Sequence, residues 1–303
     1  MRQTFVVAFV LSLSTACGHS IERGGKAPVA DGDWVVTAAQ ALADAEAGAL
    51  LLDARSADQH AAGHVAGAVR VDWQSFSAPG ETERGELHPD EARLQAALVA
   101  LGVRRGVAVR VIGDPVAGWG EDGRIVWTLR TLGHEHAALV DGGHSALVRA
   151  GATVTTAASA PPVGDFAVAR TDAHAITTAA LRALVDSRGR AVIVDAREPR
   201  EYAGETPYGE ARGGHLPGAI SLHYRVLLAA DGRLLPREEL RARLAAVGVT
   251  ADRPVVVYCT GGVRSGWFVV VLRALGFEDA RNYAGSMWQW AAGPAADYPL
   301  EIE

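Results

Sequence analysis

Cysteine is scarce in this 303-residue chain, which holds two, Cys17 and Cys259. A pair so far apart makes a poor disulfide framework and lacks the spacing of a metal site. Positive charge is also short. The formal net charge is −6, so there is no basic footprint for nucleic acid. The apolar run that opens the chain, about ten residues, is too short to span a bilayer. What is plentiful is small and apolar: 49% of residues are hydrophobic and 34 are glycine. That composition suits two domains of ordinary size, each able to bury a core.

The opening segment, Met1-Arg-Gln-Thr-Phe-Val-Val-Ala-Phe-Val-Leu-Ser-Leu-Ser-Thr-Ala-Cys17, has the build of a secretory signal: one basic residue, an apolar stretch and a small-residue end. Cys17 directly after Ala16 resembles a bacterial lipoprotein signal, in which that cysteine is acylated. Ser14-Thr-Ala16 also fits an ordinary cleavage site. Both readings predict export, to the periplasm or a membrane-anchored form, with membrane contact only through a lipid at Cys17. Residues 18–32 read as a tether.

Beyond it the chain repeats itself. Thr37 caps a predicted helix; then come Leu50-Leu-Leu-Asp53-Ala-Arg55, Gly63-His64-Val-Ala-Gly67-Ala, a helix over Glu91–Leu101, a strand over Val107–Ile112, a helix over Arg124–Leu132 and a strand over Ala137–Val140. The second half repeats the order with a helix over Thr177–Asp186, Val192-Ile-Val-Asp195-Ala-Arg197, Gly214-His215-Leu-Pro-Gly218-Ala, Glu238–Val247 and the strand Val255–Tyr258. A period of roughly 145 residues is far longer than a solenoid repeat, so this is a duplicated domain. Alternating strands and helices predict a parallel α/β sheet in each half. The boundaries read as 33–152 and 169–303. The Pro- and Ala-rich residues 153–168 form a linker.

The halves differ most at Val255-Val-Val-Tyr-Cys259-Thr-Gly-Gly-Val-Arg-Ser265. An apolar strand without alternation ends in a thiol, and two glycines then let backbone N–H groups converge. A helix starting near Val263–Ser265 aims its positive end at the same point. Such surroundings favour thiolate over thiol and make Cys259 a nucleophile. The alternative is a buried, inert cysteine at a strand end.

This loop resembles the active-site loop of the rhodanese-type sulfurtransferases, and the repeat resembles the tandem members of that family. The resemblance covers nearly everything after residue 33. It implies two rhodanese-like domains, each a parallel sheet flanked by helices. It also implies a sulfurtransferase that moves sulfane sulfur from thiosulfate or 3-mercaptopyruvate to cyanide or a thiol through a Cys259 persulfide. By the same resemblance Cys259 is catalytic, and Thr260, Gly261, Gly262, Val263, Arg264 and Ser265 surround the substrate. No metal or cofactor is expected, and a monomer is.

Arg264, five positions after the cysteine, is expected to turn its planar fork on an anionic donor. Arg197 has two readings, a structural partner of Asp195 or a pocket residue, and Arg212 is a weaker anion contact. The insertion that starts at Glu201 and Trp119 of the first half are candidates to border the pocket. His64 and His215 read as turn-fixing, and His134-Glu-His136 is assigned no metal. In the first half Asp114 stands near the place of the thiol, in a loop about two residues longer, so that domain is expected to be silent. Two rivals remain, a non-enzymatic sulfur carrier or binding module and a Cys-dependent phosphatase. Arg264 at plus five makes a ring smaller than phosphatases use.

Overall fold

The computed structural model describes residues 1, 34–161, 163–187 and 190–302. Cys17 and the expected tether lie outside the described residues. In the first half, β1 (Val35–Val36), β2 (Leu50–Asp53), β3 (His64–Val65), β4 (Val69–Arg70), β5 (Val109–Ile112), β6 (Ala137–Val140) and β7 (Val154–Thr155) alternate with α1 (Ala38–Glu46), α2 (Ala57–Ala62), α3 (Glu91–Ala100), α4 (Glu121–Thr131) and α5 (Gly143–Arg149). The second half carries α6 (Thr178–Asp186), β8 (Val192–Asp195), α7 (Pro199–Tyr202), β9 (Ile220–Ser221), α8 (Arg237–Ala246), β10 (Val255–Tyr258), α9 (Val263–Ala274), β11 (Ala280–Asn282) and α10 (Ser286–Trp290).

The first sheet runs β1-β6-β5-β2-β4 and the second β11-β10-β8-β9, with every pair parallel. Ala175 bridges Asn282 in parallel and stands where β1 stands in the first sheet. In the second sheet the central strands β8 and β10 are buried along their whole length because helices cover both faces, which is why they read as mostly apolar runs.

The residues between the domains do not run free. β7 pairs antiparallel with β3, and Phe166, buried, donates its N–H to Val103. One hydrophobic core continues across both halves, from Val35 and Leu52 through Trp127 to Phe268 and Ala284. Its hinge is the packing of α4 on α9. A Cβ on Gly123 would lie 2.4 Å from Trp267 Cα, so glycine there lets the helices close.

Helix α4 starts at Glu121, three residues before the expected Arg124. Its first turn carries Glu121 and Asp122, carboxylates that suit a helix N-terminus.

Candidate active site

The end of β10 and the start of α9 place Cys259 in a turn of four residues, 259–262. Gly262 caps α9 at φ 78°, a left-handed conformation that favours glycine. A Cβ on Gly261 would meet the Trp288 ring at 2.0 Å, and one on Gly262 would meet the Ala284 carbonyl at 2.5 Å. Both glycines are therefore required by close approach. The backbone they allow brings Gly262 N–H to 3.1 Å from Cys259 Sγ, and Ser265 Oγ stands at 3.4 Å.

Cys259 is 1% exposed. Burial alone pushes its thiol up, but the positive charge of Arg264 and the donors of Ser265 and Gly261 outweigh it, and the thiol is held below its ordinary range. Arg264 in turn is fixed by Glu201, with Nη1–Oε2 at 2.6 Å and Nη2–Oε1 at 2.8 Å, and it donates to Thr260 Oγ1 at 2.6 Å. Burial raises the Glu201 carboxyl, yet hydrogen bonding and charge from Arg264, with Thr260, bring it below its usual range. Thr260 Oγ1 also lies 3.2 Å from Glu210.

Over the thiol opens a cavity of about 170 Å³. Its walls are aromatic: Trp73 and Trp119 come from the first half, Tyr208 and Trp288 from the second. Trp119 meets Tyr208 edge to face, 5.2 Å between centroids, and Arg264 lies 5.2 Å from the Trp119 centroid. Thr260, Gly261, Val263 and Arg264 line this cavity with Cys259, whereas Gly262 and Ser265 stand behind the thiol.

Three expectations are corrected. The Arg264 fork is closed on Glu201 instead of being open to an anion, so Arg264 acts at the site through its charge. Arg197, fully buried, spends its guanidinium on Asp195 and on the Gly214 carbonyl at 2.7 Å and does not line the cavity. Arg212 donates to four carbonyls, of Trp290, Ala291, Gly293 and Tyr298, and so fixes the C-terminal segment. The insertion does border the site, through Glu201, Tyr208 and Glu210 rather than Arg212.

The wall residues Trp73 and Trp288 escaped the sequence reading, and so did Ser286 and Arg124. Ser286 has φ 51°, the one positive φ outside glycine among the described residues. Its Oγ accepts the Cys259 N–H at 3.0 Å and donates to the Tyr283 carbonyl at 2.7 Å. Arg124 reaches across from α4 and donates to the Gly262 carbonyl at 3.0 Å and the Gly85 carbonyl at 2.7 Å.

The first half repeats this scaffold with different groups. His144 N–H donates to the Gly113 carbonyl at 3.0 Å, as Met287 N–H does to that of Cys259 at 3.1 Å. Gly113, not Asp114, therefore holds the place of the thiol, and residues 113–120 make the turn four residues longer, not two. Gly143, at φ 54°, takes the place of Ser286. Gln59, bonded to Asp114 at 2.8 Å, replaces Glu201 bonded to Thr260. Asp122 replaces Arg264 and fills the space a thiol would need, since a Cβ on Gly113 would lie 2.1 Å from Asp122 Oδ2.

The rhodanese-like domain family matches the chain twice, over residues 37–150 and 177–293. The chain belongs to the rhodanese-like family, as a tandem member, and is a sulfurtransferase. It is 33% identical over 258 residues to a thiosulfate sulfurtransferase of Pseudomonas aeruginosa, covering 84% of this chain and 91% of that protein. A probable 3-mercaptopyruvate sulfurtransferase of the same organism is 34% identical over 239 residues, 76% of this chain and 82% of its own length. Among solved structures, the complex of EanB with hercynine shares the fold, with TM-score 0.75 at 19% identity, over 87% of this chain and 68% of EanB.

Proposed function

We propose that the protein transfers sulfane sulfur from thiosulfate to a nucleophilic acceptor through a persulfide on Cys259. The observation that carries this reading is a buried thiol held below its ordinary pKa range inside a ring of donors. The Cys259 thiolate attacks the outer sulfur of thiosulfate. The donor's S–S bond breaks, its electron pair leaves on sulfite, and Cys259–S–S⁻ remains. Cyanide or a thiolate then attacks the terminal sulfur, and the pair returns to Sγ. No net oxidation occurs, and two easier steps replace one, with ping-pong kinetics expected.

The donors that receive Sγ are also placed to hold the persulfide's negative charge. 3-Mercaptopyruvate is the second donor, supported by the similarity to the probable mercaptopyruvate enzyme. Incubation with either donor plus cyanide, followed by measurement of thiocyanate, tests the reading and ranks the donors. No thiocyanate from either would refute it and favour a carrier.

Export is part of the same proposal. It rests on the apolar leader ending in Ser14-Thr-Ala-Cys17. Fractionation with fatty-acid labelling tests it: label lost in Cys17→Ser supports a lipid anchor, and full-length protein in the cytosol refutes export.

A further inference from the structure

The aromatic wall of the cavity over Cys259 has a second side. Trp73, Trp119 and Glu121 also line a second cavity, of about 470 Å³, in the first half. It lies where β2, β4 and β5 end, against Asp114, in the place that the thiol cavity holds on the other sheet. Its character is the opposite. Arg70, Asp72 and Gln74 stand on one side, Gln59 and Asp114 on another. Arg70 Nη2 donates to Asp72 Oδ2 at 3.2 Å, while its Nε is buried with no hydrogen-bond partner among the described residues. The longer 113–120 turn contributes Asp114, Ala117, Gly118 and Trp119 to its lining.

We infer that this cavity binds the body of a peptide thiol, the sulfur acceptor, while its thiol passes between Trp73 and Trp119 to Cys259. The inference rests on the sulfur-transfer reading above. About 170 Å³ over Cys259 admits a cysteinyl side chain and little more. A volume of about 470 Å³ falls within the range of small-molecule sites, about 300–1,000 Å³. Its polar groups come as donors and acceptors together. Arg70 Nε and the Gln74 amide suit carboxylate and amide oxygens. Asp72 accepts from Arg70 and the Gln74 N–H, and Asp114 from Gln59, Val116 and Ala117, so only the remaining lone pairs of these carboxylates are offered to an ammonium or amide N–H groups. A zwitterionic peptide carries all of these; thiosulfate and cyanide carry none that would reach. In the reaction the acceptor thiolate attacks the terminal sulfur of Cys259–S–S⁻, the Sγ–S bond breaks with its electron pair on Sγ, and the acceptor leaves as its persulfide.

The test uses purified protein loaded with thiosulfate, freed of excess donor, and mixed rapidly with glutathione, 2-mercaptoethanol or cyanide. The glutathione rate is expected to saturate, while the other two rise linearly with concentration. S-Methylglutathione, which cannot react, is expected to slow transfer to glutathione competitively. Arg70→Met is expected to raise the glutathione half-saturation concentration by about tenfold (about 1.4 kcal/mol). A glutathione rate that rises linearly, or a half-saturation unchanged in Arg70→Met, overturns the inference. Should Cys259 fail to load, the sulfur-transfer reading is what fails. Calorimetry of S-methylglutathione with Cys259→Ser then decides the cavity separately, since binding weakened by Arg70→Met supports it and no heat at millimolar ligand overturns it.

Discussion

Arg124 of the domain without a thiol donates to the carbonyl of Gly262 in the loop that holds the thiol, at 3.0 Å. It is fully buried, and burial lowers its guanidinium to about 10, with the charges of Glu86 and Cys259 acting in the opposite sense. A cation kept in so unfavourable a place fixes the loop carbonyl on its outer side and leaves the Gly262 N–H turned inward to Sγ. The domain without a thiol is thus part of the candidate site's frame. Charge-assisted hydrogen bonds are worth about 1.5–3 kcal/mol each, so Arg124→Met is expected to slow persulfide formation by roughly ten- to a hundredfold. Arg124→Lys should recover little, because an ammonium cannot span both carbonyls with a planar fork. Stopped-flow kinetics of the donor step measure this. A rate within threefold of the parent would leave Arg124 with no part in the loop.

The second prediction concerns pH. The Cys259 thiol lies below its ordinary value because the Arg264 charge and nearby donors outweigh burial. A depressed thiol stays ionised as pH falls from 9, and the donor reaction weakens only as pH drops through the lowered value. In Arg264→Gln that fall is expected at higher pH. The same change strands Glu201, a buried carboxylate, at a stability cost of about 3–5 kcal/mol, which denaturant unfolding reads separately. A pH profile of Cys259 alkylation identical in parent and variant would remove the electrostatic role.

Asp122 gives the third. Burial raises its carboxyl to about 7, from 3.8. A raised carboxyl is neutral in both states below about 4, so nothing is lost there. As pH rises from about 4 to about 7 the unfolded chain gains charge first, and stability falls. Asp122→Asn is therefore expected to raise the melting temperature by several degrees at pH 8 and to change it little at pH 4. A shift of equal size at both pH values would contradict the assignment. Gly113→Cys alone should give no second transferable sulfur, because Asp122 fills the site.

Ser286 gives the fourth. A non-glycine residue at φ 51° costs about 1–3 kcal/mol, and the matching residue in the first half is Gly143. Ser286→Gly is expected to hold or raise stability while slowing the donor step by about three- to tenfold, as the Cys259 N–H loses an acceptor worth about 0.5–1.5 kcal/mol. Reduced stability together with an unchanged rate would show that the hydroxyl serves folding instead.

Much of this was legible before any coordinates. The parallel strands show as mostly apolar runs, and the duplication shows in Asp-Ala-Arg and Gly-His-x-x-Gly-Ala. His64 and His215 do bond backbone carbonyls, of His60 in α2 and Tyr202 in α7, at 2.9 and 3.1 Å, and so tie their turns to the preceding helices. What stayed hidden depends on long-range partners. Nothing near Arg264 in sequence announces Glu201, 63 positions away, and nothing near Arg124 announces Gly262, 138 positions away. Two signals were nonetheless within reach. Setting Asp141-Gly-Gly143 against Ala284-Gly-Ser286 isolates Ser286, and setting Ser56–Gln59 against Glu198–Glu201 isolates Glu201.

The central claim, sulfur carried on Cys259, is tested most directly by intact mass spectrometry after incubation with thiosulfate. A gain of one sulfur atom is expected, located to Cys259 by peptide mapping, lost on adding cyanide and absent in Cys259→Ser. A folded protein that gains no sulfur from thiosulfate or 3-mercaptopyruvate, or that gains it equally in Cys259→Ser, would contradict it.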